Sequence, residues 1–76
     1  MVMYETIKSE RIKFGRNNFM EVARRKAKVS PEEESIYISI TRGYYLPDGT
    51  EKIRKTISLP DDDELKKFIS EKILEV

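Results

Sequence analysis

The chain has 76 residues, of which 38% are hydrophobic and another 38% are charged, and its formal net charge is +1. The absence of Cys and His removes disulfides, thiol nucleophiles, imidazole bases and the usual zinc ligands, so we expect neither an enzyme nor a metal or cofactor site. No apolar stretch is long enough for a signal peptide or a membrane span, so we expect a soluble intracellular protein, cytoplasmic or DNA-associated, with no membrane partner.

The length fits one domain, residues 1–76, that buries only about 60% of the surface exposed by the unfolded chain. This small apolar supply favours self-association. The charge is unevenly distributed: residues 8–28 hold eight basic and two acidic side chains, a local +6, whereas residues 29–34 carry −3. Such asymmetry is typical of a surface that meets an anionic partner. A well-solvated, highly charged surface is the alternative, and charge alone does not separate the two.

Residues 1–10 are interpreted as an N-terminal extension, and residues 11–14 as a short strand that enters a turn at Gly15. The next segment, residues 18–28, is ambiguous. Phe19, Val22, Ala23 and Ala27 fit a helical stripe, and the composition favours helix. Two-residue alternation is the poorer match, and the family resemblance described below changes the prediction to a strand. Residues 29–35 are predicted to form an acidic loop.

A β-hairpin is predicted around Pro47, Asp48 and Gly49, where Pro fixes φ and Gly tolerates a positive φ. The strand before it alternates, so that Ile36, Ile38 and Ile40 share one face. In the strand after it, Ile57 and Leu59 face one way, and the other face takes Lys52, Arg54, Thr56 and Ser58. Gly43 within the first strand indicates a bulge or a close approach to the backbone.

A C-terminal helix is predicted over residues 61–75, with Asp61 as the N-cap and Glu64 three residues later. Its apolar stripe contains Leu65, Phe68, Ile69, Ile73 and Val76. This stripe is expected to cover the Ile face of the sheet and leave the opposite face uncovered. The carboxylates at residues 61–64 are interpreted as a negatively charged helix start and not as a metal site.

Residues 42–59, which read Arg-Gly-Tyr-Tyr-Leu-Pro-Asp-Gly followed by a basic strand ending Lys-Thr-Ile-Ser-Leu, resemble the positive-cofactor-4 family of single-stranded-DNA-binding transcriptional coactivators. Residues 14–22 are similar to that family's first strand, glycine turn and second strand. The resemblance covers about residues 11–74. It implies an α+β fold with a four-stranded antiparallel sheet (residues 11–59) followed by one C-terminal helix, assembled as a homodimer. It departs from the family at Arg25, where the family has an aromatic residue, and in the longer acidic loop.

The resemblance implies single-stranded DNA binding by a basic, aromatic-bearing sheet face, in a coactivator-like or DNA-protection role with transcription or replication proteins as further partners. Carried over to this chain, together with the neighbouring basic side chains, it gives a predicted site of Arg16, Arg24, Arg25, Lys26, Lys28, Arg42, Tyr44, Tyr45, Lys52, Arg54 and Lys55.

Such binding needs cations along the phosphate backbone and flat rings for the bases. Because Tyr44 and Tyr45 are adjacent, one should pack inward and one should stack, and Tyr45 is favoured as the stacker. Tyr37 is either a second platform or an edge residue, and Phe19 is favoured as core. Arg42 either contacts the ligand or pairs with Glu51. An RNA-binding module and a protein-interaction adaptor with a basic face remain the alternative functions.

Overall fold

The computed structural model describes residues 2–76 and consists of one antiparallel sheet followed by one helix. The strands follow the chain order across the sheet, from one edge to the other. The elements are β1 (Met3–Phe14), β2 (Asn18–Ser30), β3 (Glu33–Tyr45), β4 (Glu51–Pro60) and α1 (Asp63–Glu75). This architecture confirms the predicted α+β class.

The ambiguous segment after Gly15 is a strand, as the family resemblance indicated. Residues 15–17 form the turn, with φ of +57° at Gly15 and +63° at Asn17. β2 pairs with β1 on one side and β3 on the other, so its pairing outweighs its helical propensity. β1 begins at Met3, so residues 3–10 of the predicted N-terminal extension are part of the sheet, and its first residue lies outside the described residues. A bulge interrupts β1 between Thr6 and Lys8.

The predicted acidic loop at residues 29–35 is not present. β2 continues to Ser30 and β3 begins at Glu33, which leaves a tight connection through Pro31 and Glu32. The Glu33 amide donates to Ser30 Oγ at 3.1 Å and closes this turn. Residues 29–30 and 33–35, which were predicted to lie in a loop because of the run of glutamates, therefore belong to paired strands.

The β3–β4 hairpin is confirmed. Gly49 has a φ of +90°, and the Thr50 amide donates to Asp48 Oδ1 at 2.8 Å. The register shifts between Arg42 and Gly43, where β4 has one extra residue, Arg54. The predicted irregularity at Gly43 is thus confirmed. A Cβ atom at Gly43 would clash with the backbone carbonyl oxygen of Lys52 and would lie 2.6 Å from Cζ of Phe19, so both the β4 backbone and the Phe19 ring approach this glycine closely.

The helix begins two residues later than predicted. Asp62 is the N-cap, and its Oδ1 accepts from the Leu65 amide at 3.0 Å. Asp61 instead accepts from Lys66 Nζ at 2.6 Å and lies 3.5 Å from Arg24 Nε. The hydrogen bond from Lys66, and then the charge of Arg24, hold the pKa of Asp61 below its usual value. Asp61 therefore connects α1 to the sheet instead of capping the helix.

Side-chain alternation divides the sheet into two faces. The helix-side face, next to α1, consists of Lys8, Glu10, Ile12, Met20, Val22, Arg24, Lys26, Ile36, Ile38, Ile40, Arg42, Lys55, Ile57 and Leu59. The open face consists of Tyr4, Thr6, Ser9, Arg11, Lys13, Phe19, Glu21, Ala23, Arg25, Tyr37, Ser39, Thr41, Tyr45, Glu51, Ile53, Thr56 and Ser58.

The core is small and lies mainly on the open face. Phe19, Ala23 and Ser39 are buried there, and Ile38 is buried on the helix-side face. α1 buries none of its residues, so the predicted cover of the Ile face is only partial. A groove of about 520 Å³ separates α1 from the sheet.

Candidate nucleic-acid interface

One end of the open face is built around the Phe19 ring. Phe19 is completely buried, and its ring centroid lies 5.1 Å from that of Tyr45, tilted by 44°. The Arg11 guanidinium lies 4.2 Å above the Phe19 ring. Tilted aromatic pairs and cation–π contacts of this kind each contribute about 0.5–1.5 kcal/mol. The expectation that Phe19 is core is confirmed. Tyr45 lies on the open face and Tyr44 on the helix-side face, and the stacking role favoured for Tyr45 stays a prediction.

Arg11 is held by several acceptors at this end. Its guanidinium donates to Glu51 at 2.6 Å, to the Tyr45 hydroxyl at 3.1 Å and to Glu21 at 3.4 Å. The hydrogen bond to Glu51, followed by that to Tyr45, raises the pKa of Arg11 still further above its usual range. Arg11 therefore stays charged and fixes the Tyr45 ring, but two carboxylates offset its charge. It is a positioning residue in this cluster.

Lys13 supplies the free cation at the same end. Its Nζ lies 5.1 Å from the Tyr45 ring centroid. Within residues 2–76, no carboxylate lies within 4.0 Å of this amine. An ammonium without a carboxylate partner therefore lies over an aromatic ring at this end, and cations and rings are the two kinds of group that single-strand binding uses.

The middle of the open face is a floor of small and hydroxyl side chains. Ala23 and Ser39 are opposite each other on β2 and β3, with Ser58 next along the row. Thr41 and Thr56 pair across β3 and β4, with their hydroxyl oxygens 3.2 Å apart. Ala23 and Ser39 are buried at the base of this row, whereas Thr56 and Ser58 are exposed, and exposed neutral hydroxyls can donate to phosphate or base oxygens.

Arg25 supplies the free cation at the other end. It lies opposite Thr6 on β1 and Tyr37 on β3, so Tyr37 is on the open face. Among residues 2–76, no carboxylate lies within 4.0 Å of the Arg25 guanidinium. Arg25 and Phe19 are six positions apart on β2, which corresponds to about 20 Å along the strand.

The structure does not bring the predicted site residues onto one surface. Only Arg25 and Tyr45 are on the open face, and Arg16 lies in the β1–β2 turn. The other predicted residues follow the helix-side face or extend it at the Gly43 end: Arg24, Lys26, Lys28, Arg42, Tyr44, Lys52, Arg54 and Lys55. The prediction that these cations and rings share one uncovered face is therefore wrong.

Two local causes explain this division. Arg24, Arg25 and Lys26 are consecutive on a strand, so only one of the three reaches the open face. The extra residue Arg54 then reverses the alternation of β4, which moves Arg54 and Lys52 away from the face of Thr56 and Ser58. The alternation of β2 was readable from the sequence, whereas the β4 bulge was not.

Two of the displaced cations are already partnered. Arg24 lies 3.5 Å from Asp61, and Lys26 lies 4.0 Å from Glu5 and 3.9 Å from Glu34. These exposed pairs weaken the attraction that either cation offers to a phosphate.

A second group of cations gathers on the helix-side face near Gly43. Arg42, Arg54 and Lys55 border a hollow of about 350 Å³ whose floor is Met20, Ile40 and Ile57. The Arg54 guanidinium lies 5.3 Å from the Tyr44 ring centroid. Arg42 does not pair with Glu51, because Glu51 bonds Arg11 on the opposite face. The hollow is apolar, and no hydroxyl row accompanies it.

Four open-face residues of this surface were missing from the predicted site: Tyr4, Arg11, Lys13 and Tyr37. Tyr37 had been considered only as a second platform or an edge residue. Tyr4 was overlooked because residues 1–10 were interpreted as an extension outside the sheet. Arg11 and Lys13 were counted in the local charge of residues 8–28, but neither was considered as a residue that contacts the ligand. The alternation of Arg11, Ile12, Lys13 and Phe14 is the signal that places the two cations together on one face.

The chain matches no known protein family, and no curated protein and no solved structure matches it. The resemblance to the positive-cofactor-4 family therefore stays a prediction. Within residues 2–76 no helix has the length and apolar character needed to cross a membrane.

Proposed function

We propose that the protein binds single-stranded DNA along the open face of its sheet. The observation that supports this function is that one uncovered face combines unpaired cations, Lys13 and Arg25, with the rings of Tyr37 and Tyr45 and a row of hydroxyls. Cations supply phosphate attraction, and rings supply stacking of about 1–3 kcal/mol per base for any base type.

The length of the face suits a short strand of several nucleotides. The cations stand at opposite ends of the hydroxyl floor, about 20 Å apart along β2, so both can act on one extended backbone. With Arg16 in the adjoining turn, about two to three phosphates are neutralised. For single strands this gives a salt slope of about −1.4 to −2 in log K against log salt.

The test is a fluorescence-anisotropy titration of a labelled oligothymidylate at several salt concentrations. Lys13→Gln and Arg25→Gln should each weaken binding and reduce the salt slope by about 0.7. Arg42→Gln and Lys55→Gln are the matched controls, since they remove the same charge from the helix-side face, and they should leave both quantities unchanged. If the two controls weaken binding while Lys13→Gln and Arg25→Gln do not, the open face is the wrong surface.

Competition with RNA and duplex DNA completes the test. Duplex should compete poorly, because stacking on Tyr37 and Tyr45 requires unpaired bases. RNA competing more strongly than DNA of the same sequence would replace DNA by RNA as the ligand. No binding of any nucleic acid at low salt would contradict the proposal.

We further propose that a second copy of the chain covers the helix-side face, forming a homodimer. α1 buries no residue, and the apolar side chains that line or flank its groove stay exposed: Val22 by 48%, Ile57 by 45% and Ile73 by 66%. A contiguous apolar surface of this kind is typical of an interface. A self-complementary pair of such faces would bury it while leaving both open faces accessible.

Sedimentation over a range of protein concentrations tests the homodimer. Wild type should have twice the chain mass of 9.0 kDa, and Ile57→Lys and Ile73→Lys should both shift it towards one chain mass. Thr56→Lys, next to Ile57 but on the open face, is the control and should remain dimeric. A single-chain mass for wild type at about 10 μM would refute the homodimer.

A further inference from the structure

β1 brings a third tyrosine to the Arg25 end of the open face. Tyr4 pairs with Ala27, one alternation step along β2 from Arg25. The Arg25 guanidinium carbon lies 6.0 Å from the Tyr4 ring centroid. Tyr37 lies opposite Arg25 on the other neighbouring strand. One arginine is therefore flanked by two tyrosines, one from β1 and one from β3.

Arg25 has an unsatisfied donor in this arrangement. Its Nε atom is buried and has no hydrogen-bond partner within the described chain. A buried donor without an acceptor costs about 1–3 kcal/mol, and more on a charged group. The guanidinium also lacks a carboxylate partner at this end of the face. Because Nε itself is buried, an anionic oxygen would reach this guanidinium through its terminal nitrogens, and the planar fork of an arginine suits phosphate in particular.

The Tyr4 ring is largely exposed, although the Arg25 guanidinium lies over it. The residue is 62% exposed, and it lies on the edge strand at the far end from the Phe19 cluster. Tyr45 is different, because its ring packs on Phe19 and its hydroxyl is bonded to Arg11. An exposed ring beside an unpaired arginine can stack a base while the arginine holds the adjoining phosphate.

We infer that Tyr4, Arg25 and Tyr37 form a nucleotide subsite, in which Arg25 takes a phosphate and Tyr4 stacks a base. The inference rests on the proposed function of the open face and adds a named subsite to it. It also gives the first ten residues a role in binding, since Tyr4 precedes the stretch that resembles a known family. In this subsite Arg25 supplies the cation, and Tyr4 and Tyr37 supply the aromatic rings.

The experiment compares Tyr4→Ala, Tyr4→Phe and Ile12→Ala in the oligothymidylate titration. Ile12 is the matched control, because it is an exposed β1 residue on the helix-side face. Tyr4→Ala should weaken binding by about five- to one-hundred-fold with an unchanged salt slope, which corresponds to the loss of one stacked base. Tyr4→Phe and Ile12→Ala should bind as wild type does.

Tyrosine fluorescence gives a second readout that does not depend on affinity. The chain has four Tyr and no Trp, so quenching by a bound oligonucleotide comes from tyrosine alone. Tyr4→Phe keeps the stacking ring but removes one emitter, so saturating DNA should quench a smaller amplitude than in wild type. An unchanged quenched amplitude would show that no base reaches Tyr4.

The outcomes separate this subsite from the general function. If wild type binds and Tyr4→Ala binds equally well, the subsite is refuted and the open face keeps its proposed function. If wild type does not bind, both proposals fall. If Tyr4→Ala unfolds, the quenching amplitude of the folded Tyr4→Phe variant still decides the matter.

Discussion

The helix-side face has a neighbouring element, α1, yet Val22 and Ile57 on it remain about half exposed. Within residues 2–76, no helix or further strand lies over the open face, yet this face contains Phe19, which is completely buried. Burial on the open face comes from side chains within the sheet, since Arg11 and Tyr45 surround the Phe19 ring. The helix-side face therefore leaves apolar side chains exposed, whereas the open face buries its largest apolar side chain.

This difference assigns separate roles to two sets of cations that are adjacent in sequence. Arg24 and Lys26 are paired with carboxylates on the helix-side face, while Arg25 between them is unpaired on the open face. A local charge count cannot distinguish these residues. The direction of each side chain decides whether its charge is available to a ligand.

The largest expected effect is that of removing the Phe19 ring. Phe19→Ala should lower the free energy of unfolding by about 3–5 kcal/mol, because a fully buried aromatic leaves a cavity. Val22→Ala, on the same strand but on the helix-side face, should cost only about 1 kcal/mol, since its side chain is half exposed. Urea unfolding of both variants in dilute protein measures the difference. Equal losses would mean that the two faces do not differ in the way described.

A smaller effect is expected at Gly43, which borders the same ring. Gly43→Ala should destabilise the protein by about 1–3 kcal/mol, because the new methyl group would meet both the Lys52 carbonyl oxygen and the Phe19 ring. Combined with Phe19→Ala, the loss should be less than the sum of the two single losses. Strict additivity in urea unfolding would contradict the contact between Gly43 and Phe19.

The smallest effect concerns the ion pair that ties α1 to the sheet. The pKa of Asp61 is lowered in the folded protein, first by the Lys66 hydrogen bond. Its contribution is thus present above the ordinary pKa of 3.8 and is lost as the pH falls through the lowered value. Asp61→Asn should be less stable than wild type near neutral pH. The difference in stability between the two proteins should disappear in acid.

Thermal unfolding as a function of pH measures this gap. Glu71→Gln is the control, because it removes a carboxylate from α1 without touching the interaction between Asp61 and Lys66. The stability difference between this variant and wild type should not follow the same pH course. A gap for Asp61→Asn that widens in acid would have the wrong sign and would refute the role given to this pair.

Much of the fold could be predicted from local pattern. The Pro-Asp-Gly turn, the alternation of Ile36, Ile38 and Ile40, and the apolar stripe of the last segment all act over a few residues, and each gave the right element. The strand at residues 18–28 was different, because its local propensity favours helix. Its pairing with two neighbouring strands decides its state, and the resemblance supplied that information only indirectly.

The candidate site could be predicted only in composition. Composition and local pattern indicate that cations and tyrosines are abundant, that Tyr45 and Tyr37 lie on strands, and that Cys and His are absent. Tertiary structure decided which of them share a surface. The β4 bulge at Arg54, the entry of residues 3–10 into the sheet and the pairing of Arg11 with Glu51 all depend on contacts between distant segments. A strand reverses the facing of every side chain when one residue is inserted, so the grouping of charges on a face is fixed by register.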